Sequence, residues 1–151
     1  MRKADIITNK GTMKVEFFEE GAPKTVDNFV KLAKSEFYNG LKFHRVIPEF
    51  VVQVGCPYSI DMSDKKVGTG GPGYSIDCEL DGVNQFHEKG VLSMAHAGRN
   101  TGGSQFFICH NRANTKHLDR QHTCFGKVVE GLDIIDEIVV GDVIQEIIIH
   151  D

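Results

Sequence analysis

Arg45 stands near the start of a mostly apolar run, FHRVIPEFVVQVG (residues 43–55), and Gln53 stands near its end. A guanidinium keeps its charge at any ordinary pH, and burying one without a partner is very costly. Such a cation on a strand is either snorkelling to solvent or held as a fixed donor for an electron-rich atom. Two other clusters carry reactive side chains. Cys109, His110, His117, His122 and Cys124 crowd a short stretch and are the types zinc prefers. Adjacent Cys109 and His110 on a strand would point to opposite faces, and the spacing fits no finger or H-E-x-x-H pattern, so no metal is assigned. Ser104 in GGSQF lacks the G-x-S-x-G form, and an apolar strand follows where that motif needs a helix, which sets aside a serine hydrolase.

The elements that must position these residues follow from periodicity. ADIITN and TMKVEFF flank Asn9-Lys10-Gly11 and read as a β-hairpin. In APKTVDNFVKLAKSEF, Pro23 suits the first helical position, and Val26, Phe29, Val30 and Ala33 recur at helical spacing. FHRVIP, FVVQVG, GVLSMAHAG, SQFFICH, HTCFGKVV and VIQEIIIH read as strands, and LDIIDEIVVG as a second helix. GTGGPG (residues 68–73) can be no regular element. About eight short strands with glycine-rich joints predict a mainly β domain, a closed antiparallel barrel whose open ends two α-helices cap.

The chain has 151 residues, 40% hydrophobic and 25% charged, with net charge −4. That suits one domain over residues 1–151 and leaves no basic footprint for nucleic acid or an anionic membrane. The opening MRKADIITNKGT has two cations but no apolar run behind them, and no stretch approaches the ~20 apolar residues of a membrane span, so a cytoplasmic monomer is expected. Cys56, Cys78, Cys109 and Cys124 form no C-x-x-C pair and read as free thiols; a Cys56–Cys78 disulfide is the redox alternative.

APKTVDNF, FHRVIPEF, GTGGPGY, GVLSMAHAG, NTGGSQFFI and HLDRQHTCFG occur together and in order. With them the chain resembles the cyclophilin family of peptidyl-prolyl isomerases from about Ile6 to Ile149, in a small, bacterial-like form. The resemblance implies an eight-stranded barrel with its site on the outer surface, and a cofactor-free isomerase acting on X-Pro bonds of peptides and unfolded protein clients. It implies catalytic roles for Arg45, Phe50, Gln53 and His122, with His122 a pocket wall and no proton donor. It implies peptide contacts from Val51, Ala95, His96 (through its backbone), Ala97, Gln105, Phe107, His117 and Leu118. Which of Phe106 and Phe107 faces the core, alternation alone leaves open. The alternative is a proline-peptide binding module or chaperone with weak turnover. Two departures stand out. His117 replaces the tryptophan usual in cyclosporin-sensitive relatives, which predicts weakened cyclosporin binding. FVVQVGC replaces the usual FMIQGGD, bringing in Val51, Val54 and Cys56.

Overall fold

A computed structural model describes residues 2–151. Eight antiparallel strands form one sheet: β1 (Lys3–Thr8), β2 (Gly11–Phe17), β3 (Arg45–Ile47), β4 (Val51–Val54), β5 (Val91–Met94), β6 (Phe106–Cys109), β7 (Cys124–Glu130) and β8 (Ile144–His150). Their spatial order is β3-β4-β6-β5-β7-β2-β1-β8. The end strands β3 and β8 do not pair, so the sheet is a curled, open half-barrel and not the closed barrel expected. The reason lies in β3, which has three residues and runs straight into Pro48, a residue with no N–H to give a further ladder. The seam is bridged by the segment preceding β3 and by the chain entering β8. There Gly40 N–H donates to the Ile144 carbonyl at 2.8 Å, and Phe43 N–H to that of Asp142 at 2.8 Å.

The β1–β2 hairpin forms as expected, with Thr8 opposite Gly11 and two residues between them. The Thr8 hydroxyl accepts from Lys10 N–H and donates to the Gly11 carbonyl, closing the turn. Met13, Val15 and Phe17 are buried, and the residues between them are not. Helix α1 (Pro23–Lys34) starts at its proline, but its N-cap, Ala22, has no side-chain acceptor. Glu79, distant in sequence, supplies one: its carboxylate accepts from Thr25 N–H at 2.7 Å and Lys24 N–H at 3.3 Å. An anion on the orphan donors of a helix start is favourable for both. Phe29 then buries its ring among Phe17, Tyr38, Phe106 and Phe125, at centroid distances of 5.1–5.7 Å. Offset and edge contacts of this kind add ~0.5–1.5 kcal/mol each beyond burial.

Two further helices are short. α2 (Arg112–Thr115) has no periodic signal in the sequence and rests on its N-cap, Asn111, whose side chain accepts from Ala113 N–H. α3 (Leu132–Glu137) ends before the expected Val139, because Asp142 takes the Val139 N–H at 2.8 Å and turns the chain away. No helix among the described residues is long and apolar enough to cross a membrane.

Strand alternation divides the sheet into two faces. Val52, Val54, Leu92, Met94, Phe106 and Ile108 join the main core beneath α1. Val51, Val91, Phe107, Cys109 and Cys124 form a second apolar cluster on the outer face, where Phe50, Ala95 and Leu118 pack. Val54 sits in the core as an ordinary strand residue opposite Phe106. The glycine requirement falls one position later, at Gly55. Its φ is +110°, and a side chain there would collide with the Ser104 carbonyl oxygen at 2.4 Å.

Candidate active site

The register places one row of residues across the outer face: Arg45 opposite Gln53, Gln53 opposite Phe107, Phe107 opposite Ser93, and Ser93 opposite Cys124. The apolar row one residue along points inward, so Arg45 is exposed and needs no buried counter-ion. Gln53 holds it instead. Arg45 Nη1 donates to Gln53 Oε1 at 3.4 Å, Gln53 Nε2 donates to Gln105 Oε1 at 3.1 Å, and Gln105 Nε2 donates to the carbonyls of Gly68 and Gly70 at 3.0 and 2.9 Å. Every donor points the same way along this chain, which fixes both amide orientations and lets the bonds polarise one another. At its far end Cys56, fully buried, accepts from Gly68 and Gly70 N–H, each at 3.3 Å. Cys78 instead accepts from Asn100 N–H. All four cysteines are free, so the Cys56–Cys78 disulfide does not form.

Beside the guanidinium lies a pocket of about 170 Å³ lined by Arg45, Phe50, Val51, Gln53, Ala95, His96, Phe107, Leu118 and His122. Phe107, and not Phe106, is the phenylalanine that faces it. A wider groove of about 660 Å³ continues past it, between residues 68–75 and residues 101–105; Ala97 and Gln105 line this groove and not the pocket. His117 lines neither. It is exposed and stacks on Phe50 with ring centroids 5.9 Å apart.

The His96 ring does more than the sequence suggested. It stacks on His122 at 4.0 Å, donates from Nε2 to the Gln121 carbonyl, and accepts from Gly98 N–H at Nδ1. His122 Nδ1 donates to the Met94 carbonyl at 2.8 Å. Burial pushes the His122 pKa below its ordinary value, and the neighbouring His96 and His117 push the same way. The ring is therefore a neutral wall at physiological pH. The cysteine and histidine crowd is dispersed: Cys109 and Cys124 lie in the outer-face cluster, while His110 reaches Asp136 at 3.2 Å.

Sequence reasoning missed what lies behind Phe107. His87, with no exposed surface, stacks on the Phe107 ring at 5.9 Å. Its Nδ1 meets Asp119 Oδ1 at 3.0 Å and its Nε2 meets Ser93 Oγ at 2.8 Å. Asp119 also holds Arg112 through two bonds of 2.8 and 3.1 Å. The alternation of VLSM against QFFI was the available signal for Ser93; nothing local marks His87.

An exposed cation held by a glutamine thus stands at the lip of a small apolar pocket, on the outside of an eight-stranded half-barrel. The chain belongs to the family of cyclophilin-type peptidyl-prolyl cis-trans isomerases, whose family model matches residues 3–150. It is 52% identical over 147 residues to a peptidyl-prolyl cis-trans isomerase of Helicobacter pylori, covering 96% of this chain and 85% of that protein. It is 50% identical over 142 residues to peptidyl-prolyl cis-trans isomerase B of Bacillus subtilis, covering 94% and 93%. The fold is similar to a crystal structure of a Cryptosporidium parvum cyclophilin type isomerase in the presence of the dipeptide Ala-Pro, with TM-score 0.85 and 31% identity over 99% of each chain. Its activity is the rotation of X-Pro peptide bonds.

Proposed function

We propose that Arg45 is the catalytic group, that the pocket bounded by Phe50, Val51, Phe107, Leu118 and His122 holds the proline ring, and that the wider groove takes the flanking peptide. The X-Pro bond resists rotation by ~18–20 kcal/mol because the nitrogen lone pair is conjugated with the carbonyl. Halfway through rotation the conjugation is lost and that lone pair becomes an acceptor. A donor fixed beside the pocket meets it only then, so it lowers the barrier without tightening binding of either planar isomer. No covalent bond breaks and no proton must move, which matches a neutral His122 serving as wall. Gln53 keeps the guanidinium aimed, and Gln105 keeps Gln53 aimed.

The observation carrying this reading is the Arg45–Gln53 contact at the lip of the apolar pocket. The test is a protease-coupled proline-peptide assay of Arg45→Ala beside wild type. The expected outcome is a fall of about 10²- to 10³-fold in kcat with peptide affinity kept, the usual cost of losing one preorganised donor. Equal turnover in both proteins would remove Arg45 from the mechanism. The substrates on this reading are proline-containing segments of unfolded clients, handled by a cytoplasmic monomer built as a single domain. Cyclosporin would bind weakly, because His117 offers less apolar cover than an indole.

A further inference from the structure

Asp119 lies outside the pocket, yet it is tied to two of the pocket's walls. It directly follows Leu118, which lines the cavity. Its carboxylate accepts from His87 N–H at 2.8 Å and meets His87 Nδ1 at 3.0 Å. The His87 ring lies flat against Phe107, 18° from parallel, and is pinned on its other edge by Ser93. Two further bonds, from Arg112, close the loop that carries Leu118 back onto α2. A third tie joins the same parts: the Thr115 hydroxyl donates to the His87 carbonyl at 2.7 Å. One carboxylate thus accepts from both sides of the outer-face cluster, and each of its bonds is charge-assisted by the carboxylate itself, the strong kind. The segment carrying Leu118 has little regular structure of its own, being a single turn of α2 followed by a three-residue 3₁₀ turn. It needs such a tie to stay at a fixed distance from the sheet.

We infer that Asp119 is a positioning residue of the proline pocket, holding Leu118 and, through His87, Phe107 at the separation a proline ring requires. This rests on the reading of the pocket given above. Without Asp119 both walls gain freedom that binding must remove, and re-ordering two side chains weakens binding about tenfold. Arg45 belongs to the separate Gln53–Gln105 chain, so the donor itself is unaffected.

The test measures kcat and KM separately at neutral pH for wild type, Asp119→Ala, Asp119→Asn and Phe107→Ala, with the Phe107 ring signals followed by NMR. Asp119→Ala should raise KM about tenfold, change kcat little, and broaden or shift the Phe107 ring resonances. Asp119→Asn keeps an acceptor for His87 but loses the charge facing Arg112, so its KM should lie between the two. Should Asp119→Ala not fold, the Asn variant and Arg112→Met, which is a surface change, carry the same comparison with a smaller expected rise. Wild-type KM in the folded Asp119 variants, even with a lowered melting temperature, would overturn the inference and leave Asp119 a stability residue. If Phe107→Ala also kept wild-type KM, the fault would lie with the pocket reading itself.

Discussion

Acid should loosen this protein through one buried ring. Desolvation lowers the His87 pKa from 6.5 to about 4, although the Asp119 carboxylate pulls the other way. The unfolded chain takes a proton on His87 near 6.5, whereas the folded chain refuses it until about 4. Between these values the unfolded state binds more protons, so stability is full above the higher pKa and falls as pH drops toward the lower one. The whole gap is worth about 3 kcal/mol, and the step from pH 7.5 to 4.5 should remove most of it. The same carboxylate extends the loss to lower pH: burial works against ionising Asp119, but its bonds from Arg112 and His87 outweigh that and hold it at about 2, so its stabilisation is present above its ordinary 3.8 and is lost as pH falls from there toward 2. Urea unfolding of wild type and His87→Gln at both pH values measures the effect. The variant will be weaker overall, since glutamine cannot reproduce both ring contacts, but its stability should fall by about 2–3 kcal/mol less between the two conditions. Parallel losses in the two proteins would show that His87 is not protected from protonation, and the argument from its burial would fail.

Three other outcomes follow from the site. Phe106→Ala empties the aromatic cluster under α1 and should cost ~3–5 kcal/mol in denaturant titration. Phe107→Ala should cost less stability and more peptide affinity; a reversed order would mean the two rings face the other way. Because His122 is held neutral and the reaction moves no proton, kcat/KM should be flat between about pH 7 and 8, and a bell-shaped profile there would point to a proton donor. His117→Trp places an indole beside Phe50 at the pocket rim and should strengthen cyclosporin inhibition at least about tenfold; an unchanged inhibition constant would mean that the rim is too far from the ligand.

The sequence alone determined the elements whose periods are local. The hairpin about Asn9 and Lys10, the helix from Pro23 and the six later strands follow from alternation, helical spacing and turn residues, which need no distant partner. It also marked Arg45, because a permanent cation in an apolar strand demands an explanation. What it could not supply were relations between strands. Whether Phe106 or Phe107 faces the core is a matter of register, and register is set by pairing with β4 and β5. The seam between β3 and β8 stays open because Pro48 and a three-residue strand limit pairing, which a count of strands does not reveal. Glu79 caps α1, and Asp119 with His87 backs the pocket, across separations of 54 and 32 positions. A side chain finds such a partner only when the fold delivers it, since a hydrogen bond depends on ångström distances in space that spacing along the chain does not encode.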